Sequence, residues 1–419
     1  MKAIKNLLLQ RTKAILSLNL FARETKKNAV DFTRKRVLTF AFVIIFVLNS
    51  KKKSLQLEVD EFVAAALPTG QSVGKDAMVK ARKKVEYEAF ETLFRATVDV
   101  AMEEDALPRH KGYRLFAVDG SQVSLLVTND IKRHFGEVIK GQTRCTARMS
   151  GLCEITTGYL VDALLTSYHT GERVLAEKHL DTLESYGKHK TIILFDRGYP
   201  SKELIASLMK RGLFFVMRIP RGFNTQIDAQ TESEAKITLD IDDCQARLRV
   251  VKLTLPSGEI ETLLSNVPQE DFSFDDFMPL YNKRWPIETE FDLLKNTLQL
   301  ETFTGKTYLT IMQDFFATCY LSNLAVSIAE EAQAVLDETQ QDNIYKHEHK
   351  VNRNILIGRF KREFIQIVLL VDIMEAHRRL DALVQQASRC YSVRSTKPPP
   401  PRRAKDTHHK KSIPRKRTF

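Results

Sequence analysis

Asp119 and Asp196 each stand where an apolar, β-forming run stops, in LFAVDGS (residues 115–121) and ILFDRGY (residues 193–199). A strand end is a rigid mount for a reactive group, and the loops there hold many catalytic residues. One such aspartate proves little, because Asp also serves in turns, and Ser201 after Pro200 reads as the start of a helix from Lys202 to Lys210. Two delivered in the same manner make a pair. A third acid is offered by YNKRWPIETEFDLLK (residues 281–295). Read as one helix at ~100° per residue, this stretch puts Tyr281, Arg284, Glu288 and Lys295 inside an arc of about 60°. Trp285 and Asp292 fall near the same arc, whereas Glu290 faces away. Geometry thus prefers Glu288 to Glu290 and leaves Asp292 open. Pro286 fits best in a first helical turn, so only the Glu288 to Lys295 relation is independent of where the helix begins.

The elements that must position these acids show in the changing period of the chain. Residues up to about 105 read as helical. In KDAMVKARKKVEYEAFETLF (Lys75 to Phe94), Met78, Ala81, Val85 and Phe90 share one face, and Lys75, Lys80, Arg82, Lys83 and Lys84 make the other face basic. From Tyr113 to Ile219 the order is strand, β-rich segment, helix, strand, helix, strand, the rhythm of an α/β core. Residues 220 to about 275 alternate with period two and turn at Pro256-Ser257-Gly258, which predicts an antiparallel β insertion. Helical pattern resumes at Asp275.

Charge is unevenly spread. Residues 1–53 carry +11 and residues 395–419 carry +8, which leaves −7 of the total +12 for the middle. Basic ends around an acidic centre suit a polyanion gripped at the ends and a cation held between them. The five cysteines show no CxxC spacing, which points away from a zinc knuckle or a disulfide framework and fits a reducing cytoplasm. The apolar run Val37 to Leu48 is too short to span a bilayer and reads as a buried helix. GQSVGKD (residues 70–76) is one residue short of a phosphate-binding loop, GKT at Gly305 lacks its leading glycine, and HEH at His347 to His349 lacks the i, i+4 spacing of two ligands on one helical face. Nucleotide hydrolysis and a membrane role are therefore not supported.

Taken together, FAVDGS, LFDRGY and the spacing Tyr281-x2-Arg284-x3-Glu288-x6-Lys295 resemble the insertion-sequence-four group of bacterial DDE transposases, over roughly residues 34 to 362. The resemblance implies an α/β, RNase H-like catalytic core with an antiparallel β insertion, flanked by helical regions. It implies Asp119, Asp196 and Glu288 as the catalytic acids and ligands of two Mg²⁺, with Mn²⁺ as a substitute, Asp119 bridging the pair. It implies DNA contacts by Tyr281, Arg284, Trp285, Lys295 and Arg197, in addition to the basic residues Lys75, Lys80, Arg82, Lys83 and Lys84. The expected organisation is a DNA-binding region (1–105), a core split into 106–219 and 277–330 by the insertion (220–276), a C-terminal helical region (331–392) and a disordered basic tail (393–419). The expected partners are the double-stranded ends of a mobile element, target DNA and a second copy of the chain, at the bacterial nucleoid in the cytoplasm.

Overall fold

A computed structural model describes residues 4–34, 37–50, 53–67, 70–137, 145–187, 189–241, 244–255, 257–284, 286–340 and 348–393. Trp285 and the basic tail beyond Val393 lie outside the described residues. Six helices come first: α1 (Ile4–Ser17), α2 (Asn19–Thr25), α3 (Phe40–Leu48), α4 (Leu55–Ala66), α5 (Lys75–Arg82) and α6 (Glu88–Glu103). Then follow β1 (Arg114–Leu125), α7 (Asn129–Phe135), β2 (Cys145–Glu154), β3 (Tyr159–Ser167), α8 (Glu172–Ser185), β4 (Thr191–Phe195), α9 (Lys202–Lys210) and β5 (Phe214–Arg218). A short α10 (Thr225–Asp228) leads into β6 (Glu234–Ile241), β7 (Cys244–Thr254) and β8 (Ile260–Ser265). The chain closes with α11 (Phe277–Asn282), α12 (Pro286–Asp292), α13 (Tyr308–Gln340), β9 (His349–Val351), α14 (Arg353–Leu369), α15 (Ile373–Ser388) and β10 (Tyr391–Val393).

Eight strands make one mixed sheet in the order β3-β2-β1-β4-β5-β8-β7-β6. β1, β4 and β5 run parallel, and β2, β3 and β6 to β8 pair antiparallel. The period-two stretch after residue 220 is therefore antiparallel as expected, and it extends the main sheet through the pairing of β5 with β8. Its β7–β8 turn closes with Leu255 N donating to Glu259 O at 2.8 Å. Helix α9 has the expected bounds, and Ser201 Oγ accepts from Leu204 N at 3.1 Å to cap it. Buried α3 lies within the apolar run at residues 37–48, and among the described residues no helix is long and apolar enough to cross a membrane.

The centre of the helical part is α13, buried on all sides from Thr310 to Ala329, as a helix without a solvent face must be. It packs against α1, α3, α6, α14, α15 and β3. Asn323 Nδ2 donates to Thr97 Oγ1 of α6 at 2.8 Å and to Leu160 O of β3 at 2.9 Å, so one side chain joins helix bundle and sheet. The division expected at residue 330 falls inside this helix.

Two expectations for the basic segment need correction. Lys75 to Phe94 is two helices, because the intervening backbone pairs elsewhere: Lys27 N donates to Lys84 O and Glu86 N to Thr25 O, both at 2.8 Å. Arg82 is not on the solvent face. It is 7% exposed, donates from Nε to Gln313 Oε1 at 2.7 Å and from Nη2 to Thr310 O at 2.9 Å, and pairs with Asp314 at 2.8 Å. Lys75, Lys80, Lys83 and Lys84 are exposed, and Lys84 pairs with Asp31 at 2.7 Å.

Removing one partner of a buried ion pair strands the other charge. Arg82→Ala is expected to lower the stability of the folded protein by about 3 to 5 kcal/mol, measured as a shift of the urea midpoint, with Lys83→Ala shifting it by less than about 0.5 kcal/mol. A parental midpoint for Arg82→Ala would place the guanidinium outside the core.

Candidate active site: two adjacent strands and a broken helix

Asp119 does not end its strand, as the sequence reading expected. β1 continues to Leu125 through its pairing with β2, while its parallel pairing with β4 stops at Ala117 opposite Leu194. Two residues further along each chain stand Asp119 and Asp196. The shared register therefore sets the two acids level with each other where the parallel strands part, the edge at which α/β sheets place their ligands.

Each aspartate is fixed locally by the next peptide. Asp119 Oδ1 accepts from Gly120 N at 2.8 Å, and Asp196 Oδ1 accepts from Arg197 N at 2.7 Å. The Asp119 carboxyl is pushed up to about 6, chiefly by burial; Gly120 N–H and Arg284 oppose the shift, while the charges of Glu288 and Asp196 add to it. The three acids thus lie close enough to feel one another's charge.

The third acid arrives on a helix in pieces. α11 and α12 are separate, with Pro286 opening α12, as its missing N–H allows only in a first turn. Beyond Asp292 the chain widens into one π-helical turn, Leu293–Thr297, marked by Leu298 N donating to Leu293 O at 2.8 Å. A straight-helix arc therefore does not describe these residues, although the two glutamates do meet different surroundings. Glu290 is buried away from the aspartates against Arg353. Glu288 is half-buried and 3.3 Å from Arg284 Nη2. Phe291 of α12 packs onto Gly151, the cross-strand partner of Asp119, so closely that a Cβ on Gly151 would meet its ring at 3.1 Å. A glycine at that position lets the glutamate-bearing helix approach the sheet.

Arg284 is the link between strands and helix. At 6% exposure it pairs with Glu288 and lies 3.8 Å from Asp119 Oδ2. Burial opposes its charge, but Tyr281, Asp196, Asp119 and Glu288 together outweigh it. Its Nη1 is buried with no hydrogen-bond partner.

Two signature residues expected to touch DNA contact the protein itself. Tyr281 is buried, and its hydroxyl donates to Phe195 O, one residue before Asp196, at 3.4 Å. Lys295 Nζ donates to Ser121 Oγ at 2.6 Å, just past Asp119, and lies 4.0 Å from Glu301. Arg197 is exposed beside Asp196. Among the described residues no three His, Cys, Asp or Glu side chains converge closely enough to hold a metal. The donor chemistry nonetheless fits a divalent cation, because carboxylate oxygens are its preferred ligands and added positive charge would offset the burial that raises Asp119.

Sequence reasoning missed Glu172. This residue opens α8, pairs with Arg148 at 2.6 Å, and sits 3.4 Å from where a Cβ would stand on either Gly120 or Gly198, the glycines following Asp119 and closely following Asp196. Tyr199, from the same LFDRGY run, is buried with its hydroxyl unpartnered. No local pattern marks Glu172, since helix starts commonly carry acids.

Comparison with known families now adds to the geometry. The model of the transposase DDE domain matches residues 110–324, just over half of the chain and the stretch that contains all three acids. The chain belongs to the transposase DDE-domain family. Comparison with curated proteins gives no match. Among solved structures it is similar to a piggyBac transposase synaptic complex with hairpin DNA, determined by cryo-EM, at 10% identity and a TM-score of 0.43, over 91% of this chain and 83% of that one.

The raised carboxyl has a consequence for stability. With its folded-state value near 6, above the ordinary 3.8, ionising Asp119 opposes folding. Its favourable contribution is whole below about pH 4 and lost as pH rises through about 6. In metal-free buffer Asp119→Asn should be more stable than the parent at pH 8, by up to roughly 3 kcal/mol, and the difference should narrow towards pH 5. Equal urea midpoints at pH 8 would show that burial does not strain this carboxylate.

Proposed function

We propose that the protein is a DNA transposase of the insertion-sequence-four group, which cuts phosphodiester bonds at the terminal inverted repeats of its element and joins the freed 3′ ends to target DNA. The observation that carries this reading is the level placement of Asp119 and Asp196 where the parallel strands β1 and β4 part, with Glu288 linked to Asp119 through Arg284. The strands β3-β2-β1-β4-β5, antiparallel then parallel, read as an RNase H-like core.

Asp119, Asp196 and Glu288 would be the residues that hold Mg²⁺ or Mn²⁺. Such ions supply a deprotonated nucleophile and a neutralised leaving oxygen. Arg284, already desolvated among the acids, would bind a non-bridging phosphate oxygen near the scissile bond. Tyr281 and Lys295 hold the backbone on either side of that point, Tyr281 before Asp196 and Lys295 after Asp119. Exposed Lys75, Lys80 and Lys83, with Arg197, would contact phosphates, and such contacts fix position more than sequence. Trp285 is proposed to stack on an extruded base. A second copy of the chain would hold the other end of the element.

Single-turnover assays on duplexes carrying the repeats that flank the gene test this reading. Asp119→Ala, Asp196→Ala and Glu288→Gln should fall to the uncatalysed rate while retaining duplex binding. Glu290→Gln should cut normally once folded, and Asp292→Asn should be weakened only in part. At limiting Mg²⁺ the parent's rate should fall as pH drops through about 6, and the fall should move to lower pH as Mg²⁺ is raised, because ligand protonation competes with the metal. Unimpaired cutting by the Asp196 variant would remove the catalytic assignment, and cutting without strand joining would make the protein a nuclease.

A further inference from the structure

Behind the catalytic strand lies a buried polar chain that the proposed chemistry does not use. It begins at Arg95 on α6, whose Nη2 lies 2.6 Å from Asp162 Oδ1 on β3. Asp162 Oδ2 is 2.7 Å from His179 Nδ1 on α8 and also accepts from Thr182 Oγ1 at 3.2 Å. His179 Nε2 is 2.9 Å from Ser150 Oγ on β2, and Ser150 Oγ donates to the backbone oxygen of Asp119 at 3.4 Å. Ser150, Asp162 and His179 are each 0% exposed.

Serine, histidine and aspartate in this order match the geometry of a hydrolase triad. Complete burial rules that role out here, because no substrate carbonyl can reach Ser150 Oγ. The serine has one hydroxyl hydrogen. Directed at Asp119 O, it leaves Oγ to accept from His179 Nε2; with Nδ1 also donating to Asp162 Oδ2 the ring is the doubly protonated imidazolium, the cation that pairs with the Asp162 carboxylate. Asp162 is held low despite its burial, by His179 and Arg95, and can serve as the anionic anchor of the chain. The links come from β3, β2 and β1, three neighbours in the sheet, and from α8 and α6 packed across them. They converge on the one peptide that carries Asp119, and Ser150 is the register partner of the following residue, Gly120.

We propose that Arg95, Asp162, His179 and Ser150 form a positioning relay that holds the Asp119 peptide, and with it the Asp119 carboxylate, in the orientation needed for DNA cleavage. This rests on the functional reading above for the step concerned, though not for the contact itself. The residues act as supports of a ligand do elsewhere, where losing one commonly costs 10- to 100-fold in activity or metal affinity. A buried cluster that merely stabilised the sheet edge would change melting and leave the rate of folded protein alone.

The test uses the full chain with Ser150→Ala, which removes only the last link, and His179→Gln, whose amide can still donate to Ser150. Three quantities are read: single-turnover cleavage of the end duplex, duplex affinity, and hydrogen exchange of peptides spanning residues 114–125. Ser150→Ala should slow cleavage about 10- to 100-fold at unchanged duplex affinity and speed exchange around Asp119, with β4 and β5 unaffected. His179→Gln should remain within about threefold of the parent, and the double variant should be no slower than Ser150→Ala, as coupled residues are not additive. Cleavage within twofold of the parent together with unchanged exchange in Ser150→Ala overturns the proposal. If the parent cuts no end duplex, the functional reading fails, and the exchange measurement alone decides whether the relay holds Asp119.

Discussion

Like charges side by side in a partly buried site repel, and the parallel pairing of β1 with β4 forces that situation on Asp119 and Asp196. Much of the surrounding structure answers this constraint. The chain supplies a guanidinium at the junction of α11 and α12, where Arg284 reaches both Glu288 and Asp119. Delivering it there requires a break at Pro286, and holding Glu288 near the sheet requires the bare backbone of Gly151 under Phe291. The compensation is incomplete, since the Asp119 carboxyl still resists ionisation. Active sites commonly accept such a cost, and the surrounding fold carries it.

Much of the secondary structure was legible because it is local. The cap at Ser201, the bounds of α9, the buried α3 and the alternation of β6 to β8 follow from side-chain chemistry within a few residues. That Glu288 and Glu290 face different surroundings also follows from angular position on a helix, a local property. Where the readings failed, the deciding partner was distant. Arg82 looked like part of a basic face, and Asp314, Gln313 and Thr310, far along the chain, make it a core residue. The break between α5 and α6 depends on backbone pairing with Thr25 and Lys27. Tyr281 and Lys295 match a spacing that says nothing about whether they face DNA or the protein's own strands.

The candidate site divides in the same way. Its acids can be read from apolar runs that stop at carboxylates, since the run and the acid are adjacent in sequence. Glu172, Ser150 and His179 carry no such mark, because each matters through what the sheet and α8 bring beside it. Asp119 itself was placed at a strand end, when what ends beside it is the neighbouring strand's pairing.

The shared core around α13 bears on how this protein can be divided. The segment that matches the family, residues 110–324, stops within that helix. It retains Asp314 without Arg82 and Asn323 without Thr97. A chain cut at those limits would keep Asp119, Asp196 and Glu288 and still contain a buried carboxylate without its cation and a buried amide without one of its acceptors. The span that matches the family model is thus narrower than the span that packs together, and exchange of parts would be tolerated only at junctions outside the helix bundle.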